Sequence, residues 1–167
     1  MSRPLLSTAL IVRDEERYLA DCLRSLRGLA DEVVVVDTGS RDRTPEIARD
    51  GGAQLHDVAW RNDFAAARNA ALDRCSGEWI LYIDADERLR GGSRVHLERL
   101  LGKRRRAGYY VKLHPKRGYT AYWEMRLFRN HPDIRFEGVI HENIWPALRR
   151  YLTATGSRLG ETGLVLD

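Results

Sequence analysis

The run Glu32-Val33-Val34-Val35-Val36-Asp37 sets the tightest limit on what this chain can fold into. Consecutive β-branched residues put apolar side chains on both faces of a strand. Only a strand covered on both sides satisfies them, as in a parallel sheet flanked by helices. Leu5–Val12 and Glu78–Ile83 read as strands of the same kind, and Gln54–Val58 as a weaker one. Helix signals lie between them. Tyr18, Leu19, Cys22, Leu23 and Leu26 recur at helical spacing within 15–27, and Thr44-Pro45 reads as an N-cap and first helical residue ahead of a stop at Gly51-Gly52. Asn62 or Asp63 is placed to cap a helix over 63–74. The alternation predicts an α/β fold with an open, mostly parallel sheet over 1–91. Beyond residue 92 a helix near 93–103 and two strands at 108–113 and 124–128, around a polar loop, predict a smaller antiparallel portion.

A chain of 167 residues has room for one continuous core, so a single domain over 1–167 is expected. No apolar run approaches the roughly 20 residues that span a bilayer. Met1–Pro4 leads into charged residues with no small-residue cleavage site, from which an unprocessed, cytoplasmic chain is expected. Cys22 and Cys75 stand too far apart for a redox pair or metal knuckle and read as buried thiols. The formal charge is +4, from 28 basic and 24 acidic residues. The surplus is uneven: residues 101–118 hold Lys103, Arg104, Arg105, Arg106, Lys112, Lys116 and Arg117 with no acidic residue. Such a stretch suits anionic lipid, phosphate or nucleic acid, or is simply a solvated face.

In an open α/β sheet ligands sit beyond the carboxyl ends of the strands, so the residues that follow each strand carry the chemistry. They are polar here: Arg13-Asp14-Glu15, Asp37-Thr38-Gly39-Ser40 and Asp84-Ala85-Asp86-Glu87. Three acidic clusters at one edge repel unless a cation, a ligand or arginines offset them. Asp84 and Asp86, flanking a small residue after a buried strand, suit a divalent cation that carries a diphosphate. Acidic triplets are also common in surface loops; the strand placement is what favours the functional reading here.

The ordered motifs ALIVRDEERYLADCLRSL, DTGSRDRTPEIA, FAAARNAAL and DADE resemble those of the family-2 type glycosyltransferases with the GT-A fold, over roughly residues 5–142. The resemblance implies that the loop of Val12, Arg13 and Asp14 lies against a nucleotide base. It assigns Asp37 to that base, Arg68 to base and diphosphate, and Asp84, Ala85 and Asp86 to the metal-diphosphate motif. Residues 1–91 are then a nucleotide-binding half and 92–167 an acceptor-side half. WEMRLFRN and IRFEGVIHE resemble a bacterial subgroup related to lipooligosaccharide glucosyltransferases and to bacteriocin S-glycosyltransferases. There His141 holds the place of a late metal ligand beside Asp86, with Mn²⁺ or Mg²⁺ as the cation. Glu124, Glu137 and Glu142 are candidates for the catalytic base, Glu124 preferred; an ion pair with Arg126 or Arg129 is the structural alternative for it.

The expected reaction is metal-dependent transfer of a sugar, with inversion, from a nucleotide-diphosphate donor such as a UDP-sugar to a glycan, lipid-linked or peptide acceptor. Arg68 or Arg126 would assist the departing diphosphate. Two other readings remain open: a non-catalytic sugar-nucleotide binder, and a nucleotidyltransferase, against which the missing glycine-rich phosphate loop counts. Nucleic-acid binding through 101–118 is not expected, because no ordered motif accompanies the charge. Peripheral membrane contact through that segment stays open.

Overall fold

The computed structural model describes residues 3–115 and 119–167. β1 (Leu6–Val12), α1 (Leu19–Leu26), β2 (Glu32–Asp37), α2 (Thr44–Asp50), β3 (Gln54–Asp57), α3 (Phe64–Leu72) and β4 (Trp79–Tyr82) alternate as the sequence predicts. β5 (Leu89–Arg90), α4 (Arg94–Leu101), β6 (Arg106–Leu113), β7 (Tyr122–Arg129), α5 (Trp145–Thr155) and β8 (Arg158–Leu166) follow. All the strands join one eight-stranded sheet in the order β3-β2-β1-β4-β7-β6-β8-β5. The β3-β2-β1-β4 part is parallel, and β7 continues it antiparallel, from Trp79 opposite Arg129 to Leu81 opposite Leu127. β6 runs antiparallel to β7, β8 parallel to β6, and β5 antiparallel to β8. The antiparallel portion therefore extends the same sheet.

The valine run behaves as its chemistry requires. Val35 packs on one face with Leu10 of β1, Leu81 of β4, and Leu19 and Leu23 of α1, whereas Val34 and Val36 pack on the other with Ile80 and with Ala71 and Leu72 of α3. Leu97 and Leu101 of α4 join the first face, and Leu148 of α5 the second. Cys22 and Cys75 are both buried and free, and burial pushes each thiol up to about 12.

Helix starts follow from side-chain chemistry. Asp63 caps α3, its Oδ1 accepting from the Ala66 N–H at 2.8 Å, and Ser93 caps α4. Thr44 is not the N-cap of α2: that place falls to Arg43, and Thr44 is the first helical residue. Its hydroxyl accepts instead from the Glu15 N–H at 2.7 Å, tying the loop after β1 to the start of α2. Residues 15–18 form turns, so α1 begins at Leu19. β5, α5 and β8 went unpredicted. Pro146 near the start of α5 and Gly156 at φ 64 just past its end are the signals that mark it, whereas glycines interrupt β8 and its register with β6 shifts. The basic segment divides: Lys103, Arg104 and Arg105 are exposed, Arg106 and Lys112 are half-buried in β6, and Lys116 and Arg117 lie outside the described residues. Among the described residues no helix is long and apolar enough to cross a membrane.

α3 carries Arg68, so its cap supports the site described next. Asp63→Ala is expected to destabilise the fold by about 1 kcal/mol, and Asp63→Asn by a few tenths at most, in urea unfolding. Equal loss in both variants would show that the cap bond is not what holds α3.

Candidate functional site

Strand order changes direction between β1 and β4, since β2 and β3 lie on one side of β1 and β4 on the other. Side chains cannot fill the gap where two loops leave in opposite directions, and this switch point is where open α/β sheets bind ligands. A cavity of about 490 Å³ opens there. Val12, Arg13 and Glu15 after β1, Arg68 of α3, and Asp84, Ala85 and Asp86 after β4 line it. Trp60 and Phe64 form an aromatic wall, with ring centroids 4.8 Å apart and planes at 71°. A second cavity of about 660 Å³ shares Asp84 and Asp86 and continues past Glu87 and Arg126 toward Leu113, His114, Tyr119 and Tyr122. The acidic motif is thus the partition between two cavities.

Two arginines, Arg126 buried and Arg68 half-buried, hold that partition. Arg68 donates from Nε to Glu142 Oε1 at 2.8 Å and from both terminal nitrogens to Asp84 Oδ1 at 3.2 Å. Arg126, whose side chain is 6% exposed, donates to Glu87 Oε1 at 2.9 Å and Oε2 at 3.2 Å and to Glu124 Oε2 at 3.1 Å, and its Nη1 is 3.5 Å from Asp84 Oδ2. The guanidinium carbons sit 5.1 Å (Arg68) and 4.5 Å (Arg126) from the ring centre of Tyr82. Burial works against the charge on both arginines, but the surrounding carboxylates keep them more firmly protonated than usual. Glu87 goes the other way: burial first, then Asp84, push it up to about 7 although Arg126 pulls it down. Burial and then the charges of Asp86 and Asp84 also raise Glu15, so the mouth of the first cavity is electronegative.

The remaining predicted residues are scattered around this centre. Asp37 is 3% exposed, and its Oδ1 accepts from the Gly39 and Ser40 N–H groups at 2.7 Å. Gly39 holds φ 109, a conformation that side chains disfavour, which lets the chain fold back on this carboxylate. Asp37 Oδ2 is buried with no partner among the described residues. Asp14 is not on the cavity wall: at φ 56 its Oδ1 accepts from the Arg41 N–H at 2.7 Å, so its carboxylate ties two loops together. Glu124 forms the ion pair anticipated with Arg126, its other oxygen 3.4 Å from the Tyr82 hydroxyl. Glu137 pairs with Arg150 of α5 at the surface, and Glu142 is committed to Arg68. His141 is exposed at φ 58, and no three His, Cys, Asp or Glu side chains among the described residues stand close enough to hold a metal.

Sequence reasoning did not single out Trp60, Tyr82 or Glu87. Trp60 follows a strand at the ligand edge, and Glu87 ends the acidic motif itself, so position pointed to both; Tyr82 offered no signal beyond a buried strand.

The fold and this switch-point site define the chain as a GT-A domain. It belongs to the family described as Glycosyl transferase family 2, which matches residues 7–152. A TPR repeat-containing protein of Synechococcus elongatus is 44% identical over 138 residues, covering 81% of this chain and 34% of that protein. The lipopolysaccharide core biosynthesis glycosyltransferase LpsC of Rhizobium meliloti is 35% identical over 178 residues, covering 97% and 65%. The chain thus spans only part of the length of these curated relatives. Among solved structures, S. aureus TarS 1–349 in complex with UDP-GlcNAc superposes with TM-score 0.75 at 18% identity, covering 96% of this chain and 58% of that one. The mannosyltransferase PcManGT of Pyrobaculum calidifontis, in complex with GDP-Man and Mn²⁺, gives 0.73 at 19% identity over 99% and 57%. These likenesses are of fold.

Because Glu87 binds its proton more tightly folded than unfolded, its share of stability is complete below about 4.5 and is lost as pH rises through about 7. Unfolding free energy should therefore fall less between about pH 5 and about pH 8 in Glu87→Gln than in the parent. Parallel urea-derived profiles would show that this carboxyl titrates normally.

Proposed function

We propose that the domain binds a nucleotide-diphosphate sugar, a UDP-sugar first, across the partition between the two cavities and transfers the sugar, with inversion, to an acceptor in the larger one. The observation that carries this reading is the position of Asp84-Ala85-Asp86 on the wall of both cavities. A donor bridging them places its base against Trp60 and Phe64 and its diphosphate beside the acidic motif. Asp37 supports the base assignment, since a buried, unpartnered Oδ2 suits acceptance of a base N–H. Val12 and Arg13 would flank the base, and Asp14 would act on it only indirectly, through the loop it ties.

The donor set fits a hard divalent cation, Mn²⁺ or Mg²⁺. Asp86 is exposed and has no ion pair among the described residues, and Glu15 is raised by burial first and then by the charges of Asp86 and Asp84. Cations that carry phosphates commonly use one or two protein carboxylates, so the lack of a ready-made cage agrees with such a site. Asp86 would hold the ion, with His141 proposed as the second ligand. When bound, the ion neutralises charge on the departing diphosphate. The chain's own residues do the rest. Arg68 and Arg126 hold Asp84 in place, and a carboxylate on the acceptor side takes the proton from the acceptor hydroxyl or thiol. That atom then bonds to the anomeric carbon while the bond to the diphosphate oxygen breaks. Glu124 remains the preferred base: its side chain is 37% exposed beside the partition, whereas Glu142 is 15% exposed and bound to Arg68, and Glu137 is held on α5.

Calorimetric titration of UDP with and without Mn²⁺ tests this. The parent is expected to bind UDP more tightly with the metal, Asp86→Ala to lose that difference, and Asp37→Asn to bind UDP more weakly under both conditions, because an amide accepts the base N–H without charge assistance. Unchanged UDP affinity in Asp86→Ala with Mn²⁺ would remove Asp86 from the metal site.

A further inference from the structure

We infer that the larger cavity is a saccharide site whose Tyr122 and Tyr119 rings receive the apolar face of a sugar, so that the acceptor is an uncharged glycan. This rests on the donor reading above and names the substrate class of its second cavity.

The cavity has two kinds of wall. Tyr119 and Tyr122 are 77% and 50% exposed yet lie over a concavity that also carries Leu113. The same cavity is lined by Asp84, Asp86, Glu87, His114 and Asp167, whose side chains can accept hydrogen bonds. A sugar ring matches that division: one face presents C–H groups that pack on aromatic rings, while hydroxyls around the rim donate to carboxylates and imidazole. At about 660 Å³ the cavity lies within the range of about 300–1,000 Å³ common for small-ligand sites.

A charged acceptor fits less well. A phosphorylated acceptor would meet Asp84, Asp86, Glu87 and Asp167, with Arg126 already engaged by Glu87 and Glu124. Tyr122 stands on β7 two residues before Glu124, so the aromatic platform and the preferred base share one rigid strand.

Saturation-transfer NMR on the whole chain with UDP and Mg²⁺ tests the inference, using maltotriose, cellotriose and chitotriose as probes beside a serine- and cysteine-containing pentapeptide and glucose 6-phosphate. At least one neutral trisaccharide is expected to show contact through its ring C–H protons. Tyr122→Ala should weaken that binding about two- to tenfold, the range for loss of an aromatic contact, while Tyr122→Phe retains it. Tyr119→Ala, in a loop, repeats the measurement should Tyr122→Ala fail to fold. UDP titration of each variant separates the two readings. If UDP binds normally but no neutral saccharide does, if the tyrosine variants leave saccharide contact unchanged, or if the peptide or sugar phosphate alone gives signal, the saccharide site is wrong and the donor reading stands. If UDP itself does not bind, the donor reading falls and this inference with it.

Discussion

Asp84 between two guanidinium groups largely removed from water is the contact on which the rest of the site depends. An arginine removed from water is tolerable only where carboxylates meet its charge and hydrogen-bonding groups. Here one carboxylate serves two arginines, Arg68 through Oδ1 and Arg126 through Oδ2. Glu142 completes the first and Glu87 with Glu124 the second. The chain of charges runs from the 137–143 loop through α3 and the end of β4 to β7, four segments far apart in sequence. The Tyr82 ring lies within cation–π distance of both guanidinium groups. The position of the acidic motif is therefore fixed by charges on other elements together with bonds inside its own loop, where the Asp84 N–H donates to Glu87 Oε2 at 2.8 Å and the Glu87 N–H to the Asp84 carbonyl at 3.0 Å.

That arrangement gives the two cavities different characters. On the β1 side, apolar Ile11 and Val12 and the Trp60–Phe64 pair suit a flat base. On the β7 side the wall comes from strands added after the parallel sheet is complete, and there the polar groups outnumber the apolar ones near the partition. The parallel half alone would form the first cavity without the second. Joining β7 antiparallel to β4 brings Arg126 to Asp84, turning a binding crevice into a site with two compartments.

Most of the parallel half was legible in the sequence because its signals are local. Four valines in a row, helical spacing in 18–26 and acidic residues at strand ends each need only a few neighbouring residues to read. The charge ladder was not legible, since nothing local says that Arg68 and Arg126 share a carboxylate or that Glu87 turns inward. Thr44 shows how a correct local rule yields to a distant partner: its hydroxyl suits an N-cap but is taken by the Glu15 N–H from another loop. α5 was missed although Pro146 and Gly156 mark its two ends. In β8 no local rule was available, because a strand interrupted by glycines gains its stability from β6 and β5 on either side.

Three acidic clusters at one sheet edge first suggested a site, and the structure sorts their carboxylates by what already holds them. Asp14 is engaged by the Arg41 N–H, one oxygen of Asp37 by Gly39 and Ser40, Asp84 by two arginines and Glu87 by Arg126. Asp86, Glu15 and the second oxygen of Asp37 have no such partner among the described residues. Asp86 and Glu15 raise the cost of negative charge at the cavity mouth, and Asp37 buries an acceptor without a donor. A cation relieves the first and a base N–H the second. A nucleotide diphosphate carried on a metal would supply both from opposite ends of one molecule: Glu15 and Asp86 line the crevice, and Asp37 lies behind it, next to the lining residue Thr38.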